Sequence, residues 1–296
     1  MGNAKEETSV LMRHAYLIIA HNEFELLQIL VSALDASWAD IYVHIDRKCK
    51  TLPVLHSEQS RLDVFSEIDV RWGDYSEVEC EYALFERASA REEYDYYHLL
   101  SGVDLPIKPK QYIYDFFEAN NGKEFIDAYP YDKAEVERKI RYYHLFPKHF
   151  RGGNILLRAV RAVVIRLEIL VGLNRNKDLE LKKGAQWVSV TDDFVRYLIS
   201  QKDWVRQHFH HTFCADEIFL QTVCWNSPFR DKAFKSADWG NGNMRFIDWS
   251  DGEIHTLTMD YYSDLLSSDQ IFARKFSLKF IKYKQLIQNI INEFYA

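Results

Sequence analysis

Two short apolar runs separated by an amphipathic segment constrain the fold of this chain more than any other feature. The run that begins at Ala15 is β-branched and stops at His21, and Ile41–Ile45 is a second such run that stops at Asp46. Between them, Phe24–Leu34 carries its apolar residues at helical spacing. This order predicts a βαβ unit with parallel strands, which places His21 and Asp46 together at the carboxyl edge of the sheet. Open α/β sheets bind nucleotides at that edge.

The rest of the chain continues the alternation of strands and helices. Strands are predicted at 64–70, 96–101, 186–190 and 245–249. Helices are predicted at 77–93, with Ser76 as N-cap, and at 193–200, 216–224 and 278–295. A further helix is predicted to end with residues 115–120. The segment Tyr129–Lys183 is basic and aromatic, and we expect it to be irregular, as a flexible lid would be. A chain of 296 residues in this pattern predicts one α/β domain or two closely packed halves.

The composition excludes two broad classes of protein. Hydrophobic residues make up 47% of the chain, which excludes a disordered protein. A formal net charge of −7 argues against general nucleic-acid binding, which needs a basic excess. The four cysteines follow no C-x-x-C or zinc-finger spacing and are expected to be reduced thiols of a cytosolic protein. The first ten residues are polar and charged, so no signal peptide is predicted.

The most apolar stretch of the chain is Ile155–Leu173. Its interruptions are Arg158, Arg161, Arg166 and Glu168, so a membrane-spanning helix is not predicted. Two interpretations remain open. The favoured one is a helix packed on the core whose arginines extend to solvent. The other is a helix that docks peripherally on a membrane.

Three residues after predicted strands are candidates for nucleotide contacts. The Asp46 carboxylate can accept hydrogen bonds from a ribose or a uracil, although a strand-end cap would also explain it. His21 is a donor or acceptor at neutral pH, with a satisfied core histidine as the alternative. Trp72, beside Gly73, offers an aromatic face for stacking a base, although core packing is the usual role of a tryptophan.

Asp216 and Glu217 open a predicted helix after a histidine-rich stretch. Carboxylates in a first turn usually interact with the helix dipole, but one that faces a cleft can act as a general base. His208, His210 and His211 match no zinc motif, so no metal site is predicted.

Near the carboxyl end, Arg274 and Lys275 are adjacent cations between aromatic residues, and the sequence contains no Asp-x-Asp. Many enzymes that use sugar nucleotides hold a divalent metal against the diphosphate with an Asp-x-Asp. An Arg-Lys pair could neutralise the same charge without a metal, although such pairs are usually solvated surface features. The P-loop, nucleophile-elbow and dinucleotide-binding motifs are also absent from the sequence.

Several segments, taken in order, resemble the core-2/I-branching β-1,6-N-acetylglucosaminyltransferase family and its xylosyltransferase relatives. The segments are Tyr16–Asn22, Val43–Lys48, Trp72–Ser76, Tyr97–Lys108, Gly184–Thr191, Ala215–Glu217, Arg245–Trp249 and Phe272–Phe276. The resemblance implies a GT-A-like fold, with a Rossmann-like central mixed sheet flanked by helices. It also implies a nucleotide-sugar donor and inversion at the anomeric carbon without an essential metal or other cofactor.

The resemblance also implies roles on the donor side of the site. His21 and Asp46 would contact the uridine, and Trp72 would flank the base. Lys275, together with Arg274, would hold the diphosphate.

On the acceptor side, the resemblance implies that Glu217 is the catalytic base. Trp249, Asp104 and Trp187 would contact the acceptor, and the lid would lie on this side. His255 stands where animal branching enzymes have a further diphosphate-binding arginine. The disulfide-forming cysteines and membrane anchor of the secretory relatives are not found, so a bacterial cytosolic version is expected.

The predicted partners are a UDP-sugar, with UDP-GlcNAc favoured and UDP-xylose as the alternative, and a glycan or lipid-linked glycan acceptor. The location is expected to be cytoplasmic, with a possible peripheral contact at the inner face of the membrane. The predicted boundaries are a flexible tail at 1–12, a nucleotide-binding half at 13–110, an acceptor and catalytic half at 111–276 and a final helix at 277–296.

Two other functions stay open at this stage. A glycoside hydrolase would need a second carboxylate opposite Glu217, and the sequence does not identify one. A non-catalytic module would bind a nucleotide sugar or glycan without transferring it.

Overall fold

A five-stranded mixed sheet forms the centre of the computed structural model, which describes residues 11–130, 132–149, 155–234, 242–249 and 252–295. The strands are β1 His14–Ala20, β2 Ala39–Ile45, β3 Arg61–Phe65, β4 Tyr96–Ser101, β5 Leu105–Pro106, β6 Ser189–Thr191, β7 Arg245–Ile247 and β8 Phe272–Arg274. The central sheet has the order β3-β2-β1-β4-β6, in which the first four strands are parallel and β6 is antiparallel to β4. A smaller sheet has the order β5-β8-β7.

Helices cover both faces of the central sheet. They are α1 Phe24–Leu34, α2 Ser76–Ser89, α3 Lys110–Ala119, α4 Lys133–Arg141, α5 Ile155–Leu170, α6 Asp192–Ser200, α7 Lys202–Phe209, α8 Phe219–Trp225, α9 Tyr262–Ser267 and α10 Ile281–Phe294. This arrangement confirms the predicted α/β, GT-A-like architecture, with a central mixed sheet between helical layers.

Alternating side chains of β1 feed two separate cores. Leu17 belongs to a cluster with residues of α2, α6 and α8, whereas Tyr16 and Ile18 belong to a cluster with residues of α1, α3 and α10. Successive side chains of a strand point to opposite faces, so one apolar strand supplies both layers. This double burial explains why β1 and β2 read as continuous apolar runs.

A chain of buried polar side chains crosses the central sheet and reaches the smaller one. His14 Nδ1 lies 2.8 Å from His98 Nε2, and His98 Nδ1 lies 2.7 Å from Ser189 Oγ. Ser189 Oγ also accepts from Arg245 Nη2 at 2.9 Å. Burial lowers the pKa of His14 to about 3, so its imidazole is neutral, as membership of such a network requires. The network ties β1, β4 and β6 to β7.

The third strand lies earlier than predicted. The prediction was 64–70, whereas β3 spans Arg61–Phe65 because Arg61 pairs with Asp40 of β2. Beyond it, the imidazole of His44 accepts from the backbone N of Glu67 at 3.3 Å and of Ile68 at 3.1 Å. Beyond β3, the His44 side chain therefore takes the place of the backbone hydrogen bonds that would continue the strand.

The prediction that Ser76 is the N-cap of α2 is wrong. Ser76 is the first helical residue, and the preceding Tyr75 has helical dihedrals and makes no side-chain cap. The Ser76 hydroxyl accepts instead from Arg71 N at 2.9 Å, and Asp74 Oδ1 accepts from Ser76 N at 3.1 Å. These two bonds close the turn before the helix.

The segment Tyr129–Lys183 is also more regular than expected, because it contains α4 and α5. In α5, Arg161 is the one buried residue, while apolar side chains such as Leu156 and Leu170 are exposed. The favoured interpretation of a helix packed on the core is therefore wrong, and of its three arginines Arg158 and Arg166 extend to solvent as predicted whereas Arg161 does not. Among the described residues, no helix combines the length and apolar character needed to cross a membrane.

Candidate active site

His21 and Asp46 lie side by side at the carboxyl edge of the central sheet. They follow directly after Ala20 and Ile45, which are register partners in β1 and β2. Lys48 binds both oxygens of Asp46: its backbone N donates to Oδ1 at 2.9 Å and its Nζ to Oδ2 at 2.6 Å. Partial burial lowers the pKa of His21, Asp46 opposes this shift, and Lys48 adds to it. The edge therefore presents a neutral imidazole beside a paired carboxylate.

Trp72 lies on a turn that a second segment holds in place. Its side chain is 41% exposed, and its ring meets Phe213 edge-on with centroids 5.5 Å apart. Gly73 has a φ of +72°, and a Cβ there would lie 2.7 Å from the Phe213 ring. The Gly73 carbonyl accepts from Cys214 N at 3.1 Å. The Trp72 turn and the segment before Glu217 are thus packed directly on each other.

Glu217 ends a short 3₁₀ turn, Ala215–Glu217, and is separated from α8 by Ile218. The predicted continuous helix 216–224 is therefore broken at this point. The Glu217 side chain is 33% exposed, and its Oε2 lies 3.8 Å from Lys139 Nζ and 3.6 Å from Lys183 Nζ. Its backbone carbonyl accepts from Gly184 N at 3.0 Å. The carboxylate is held between two cations yet remains accessible.

The half-buried Glu77 and the buried Asp216 form an acid pair beside Glu217. A hydrogen bond joins the carboxyl groups of Glu77 and Asp216, and Glu77 Oε2 also accepts from Gly73 N at 2.8 Å. Burial and the neighbouring acids raise the pKa of both Glu77 and Asp216. Two interacting carboxyl groups whose pKa values are raised favour a proton held between them. The pair links the Trp72 turn to the Glu217 turn.

Arg274, Asp104 and Trp187 form one buried group. Arg274 Nε lies 3.3 Å from Asp104 Oδ1, and its guanidinium carbon lies 4.3 Å from the centre of the Trp187 ring. Asp104 is 1% exposed and also accepts from Ser101 N at 2.8 Å. Burial lowers the pKa of Arg274, and the Asp104 carboxylate opposes that shift. Asp104 and Trp187 contact Arg274 in this state, and the acceptor role predicted for them stays a prediction.

Lys275 and Trp249 lie at the same end of the smaller sheet. Lys275 follows β8, is exposed, and lowers the pKa of nearby His21 after the larger effect of burial. Trp249 is 45% exposed and lies two residues beyond Ile247, whose register partner is Arg274. The half-buried His255 is on the segment whose Leu257 N donates to the Lys275 carbonyl at 2.8 Å. The smaller sheet therefore brings the C-terminal cations to the carboxyl edge of the central one.

Tyr129 is near both Arg274 and Glu217. Burial raises its pKa, Arg274 lowers it and Glu217 raises it, so the hydroxyl is within electrostatic range of both. Arg274, a predicted diphosphate contact, and Glu217, the predicted base, therefore lie in one region of the molecule.

Lys139, Lys183 and Tyr129 are contacts that sequence reasoning missed. All three come from the segment 129–183, whose basic and aromatic character was noticed but whose helix α4 was not predicted. The spacing of Glu135 and Lys139 could have indicated that helix, because they form an i,i+4 ion pair of 2.8 Å. Glu135 also lies 3.5 Å from Lys183 Nζ, so it shares both lysines with Glu217.

The histidine-rich stretch has local contacts of its own. His208 Nδ1 lies 2.7 Å from the Trp204 carbonyl, and the rings of His210 and His211 meet edge-on at 4.7 Å. Within the described parts of the chain, no group of three or more His, Cys, Asp or Glu residues could hold a metal ion.

The fold agrees with a family match. The sequence model of the Core-2/I-Branching enzyme family matches residues 14–270, so the chain belongs to this family of enzymes. The match includes Glu217, His21 and Asp46 and ends shortly before Arg274 and Lys275.

Several similar proteins are mammalian proteins named Xylosyltransferase 2. The chain is 21% identical over 257 residues to Xylosyltransferase 2 of Rattus norvegicus, a match that covers 81% of this chain and 27% of that protein. It is 22% identical over 258 residues to Xylosyltransferase 2 of Mus musculus, with the same two coverages. The chain thus spans about a quarter of the length of the curated relatives it matches.

Proposed function

We propose that this chain transfers a sugar from a UDP-linked donor to a hydroxyl of a glycan acceptor, with inversion and without an essential metal. UDP-GlcNAc is the first donor to test. UDP-xylose is the second, because the similar proteins are named xylosyltransferases. The acceptor would be a free or lipid-linked glycan in polysaccharide or glycoconjugate synthesis in a bacterial cytoplasm.

The arrangement of Glu217 relative to the C-terminal cations carries this proposal. Glu217 is partly exposed, and Tyr129 lies within electrostatic range of both its carboxylate and Arg274. Lys275 is close enough to His21 to lower its pKa. A base, a cation clamp and a nucleotide edge in this order are what single-step displacement of a nucleoside diphosphate needs.

In the proposed reaction, Glu217 accepts the proton of the acceptor hydroxyl. Both lysines contact its Oε2, so Oε1 is the oxygen that receives the proton. The acceptor oxygen forms a bond to the anomeric carbon as the bond from that carbon to the diphosphate oxygen breaks. The bonding electrons go to the diphosphate, and the anomeric configuration inverts.

Arg274 and Lys275 would stabilise the charge that grows on the departing diphosphate. Arg274 is held in advance by Asp104 and by the Trp187 ring. A guanidinium that is already oriented needs no reorganisation as charge develops, which is the basis of electrostatic catalysis. Asp104 and Trp187 act here as positioning residues, in addition to any contact with the acceptor.

Glu217→Gln tests the role of the base. The amide keeps the shape of the side chain but cannot take a proton, so we expect the transfer rate to fall by a factor on the order of 100 or more. Binding of UDP should persist. The measurement is product formation from UDP-GlcNAc and UDP-xylose across a glycan panel in excess EDTA, with UDP binding followed by calorimetry.

The matched control is Glu293→Gln on the exposed side of α10, which should leave transfer unchanged. Near-normal transfer by Glu217→Gln would overturn the base assignment, and a strict need for added divalent cation would overturn the metal-free clamp. UDP binding without transfer to any acceptor would favour a binding module. Glycan cleavage without a donor would favour a hydrolase.

A further inference from the structure

Helix α5 exposes a continuous apolar face. Leu156, Val160, Val163, Leu167 and Leu170 recur at spacings of four and three residues, which places them on one side of the helix. These side chains are between 46% and 81% exposed. At 16 residues, the helix is about 24 Å long. A face of this length is unusual on the surface of a protein that has no partner there.

Two charged residues of α5, Arg161 and Glu168, hold the helix to the protein. Arg161 is buried, and it donates from Nε to the Leu145 carbonyl at 3.1 Å and from Nη2 to the Phe146 carbonyl at 2.9 Å. Glu168 Oε2 accepts from Tyr143 N at 3.0 Å. The hydrogen-bonded side chains Arg161 and Glu168 thus face inward while the apolar face points outward, the reverse of a helix packed on a core.

The outward side of α5 carries only positive charge. Arg158 and Arg166 are exposed, as is neighbouring Lys148, whereas the single carboxylate of the helix is the inward-bonded Glu168. This local excess stands out in a chain of formal net charge −7. A second copy of α5 packed on this face would bring exposed arginines together without a carboxylate to pair them. An anionic partner with an apolar interior satisfies both properties.

We infer that α5 docks on an anionic lipid surface, with its apolar face in the acyl boundary and its arginines at the headgroups. The helix is tied to the candidate site through short contacts. Arg141, the last residue of α4, donates to the Arg175 carbonyl just beyond α5 at 3.2 Å. Lys139 of the same helix contacts Glu217. α4 therefore connects the segment that follows α5 to the Glu217 carboxylate.

Vesicle sedimentation of the whole chain tests this inference without a donor or acceptor. We expect binding to phosphatidylcholine vesicles that contain about 30% phosphatidylglycerol, weaker binding to pure phosphatidylcholine, and a decrease as salt is raised. The double variant Val163→Asp/Leu167→Asp should reduce the bound fraction roughly tenfold or more, because it puts carboxylates into the apolar face.

The control is Leu52→Asp/Val54→Asp, which makes the same change at two exposed apolar positions outside α5. Thermal melts establish that both double variants are folded. Equal binding by the two variants, or no binding of the unchanged chain to anionic vesicles, would overturn the inference. A dimer in sedimentation velocity that only Val163→Asp/Leu167→Asp disperses would overturn it in favour of a second copy. Because no sugar transfer is measured, these results stand apart from the test of Glu217.

Discussion

At the scale of single residues, the pair of acids Glu77 and Asp216 beside Glu217 is the most consequential feature. Glu77 bonds both Asp216 and the backbone of Gly73, so one carboxyl group joins the two turns that bear Trp72 and Glu217. Burial raises the pKa of Glu77 first, and the Asp216 charge raises it further. The folded state thus holds a proton that the unfolded chain releases near the ordinary pKa of a carboxyl group.

This proton makes the stability of the protein depend on pH. The folded pKa is above the unfolded one, so the contribution to stability is complete below the unfolded value and is lost as pH rises towards the folded value. Glu77→Gln removes this titration while its amide can donate to Asp216 and accept from Gly73. We expect the variant to lose less stability between about pH 5.5 and pH 8, by up to about 1.4 kcal/mol per pH unit.

Urea denaturation at the two pH values measures the difference. Glu79→Gln is the matched control, because Glu79 is exposed on the same helix. Burial also raises the pKa of Glu81. Because Glu81 is present in the unchanged chain and in both variants, its contribution to the pH dependence cancels when their stabilities are compared. The same pH slope in Glu77→Gln and in the unchanged chain would show that the pair holds no extra proton.

At the scale of elements, the turn before α2 decides where Trp72 lies. Gly73 has a positive φ, and its missing side chain lets Phe213 approach the turn. Gly122 has a φ of +83° but no atom within 4 Å of the position of a Cβ. Comparing substitutions at the two glycines therefore distinguishes the cost of backbone strain from the cost of a steric clash.

Gly73→Ala should destabilise the protein more than Gly122→Ala. Both changes place alanine in the left-handed region, which costs roughly 1–2 kcal/mol. Only Gly73→Ala also puts a Cβ 2.7 Å from the Phe213 ring, and the total cost there should reach about 3 kcal/mol. Free energies of unfolding from urea titration give the comparison. Equal losses would mean that Phe213 moves aside freely and does not hold the turn.

At the scale of the whole molecule, both cores draw on distant parts of the chain. β8 pairs with β5, Ile107 N bonds the Ile271 carbonyl at 2.9 Å, and Phe276 N bonds the Val103 carbonyl at 2.9 Å. On the other side, β4 has β6 as its edge partner. Residues of β8 and α10 near the end of the chain therefore share a core with the N-terminal βαβ unit.

A fragment of residues 13–110, the predicted nucleotide-binding half, should not fold alone. It lacks α6, α8, α10 and β8, so both faces of its sheet would expose apolar residues to water. Amide proton dispersion in NMR spectra and far-UV circular dichroism measure this, with the whole chain as reference. A cooperative unfolding transition of the fragment would contradict this expectation and support two independent halves.

Elements whose bounds depend on the local sequence were predicted accurately, and elements whose bounds depend on distant residues were not. α1 and β4 were predicted at their observed bounds, because each is a complete periodic pattern between polar stops. α4 was missed, because its short apolar pattern is confined to Val136 and Ile140 among charged residues, whereas α5 was predicted as a helix but its packing was not. β3 was misplaced, because its bounds depend on pairing with Asp40 and on a loop held by His44.

The sequence by itself determined the βαβ core, the family and the identity of Glu217, Arg274 and Lys275 as candidates. These follow from local periodicity and from ordered motifs, which need no knowledge of distant contacts. Only the tertiary structure decided that Lys139 and Lys183 flank Glu217, that Asp104 holds Arg274, and that α5 turns its leucines outward. The physical reason is that ion pairs and burial depend on residues far apart in the chain, and the fold alone brings those residues together.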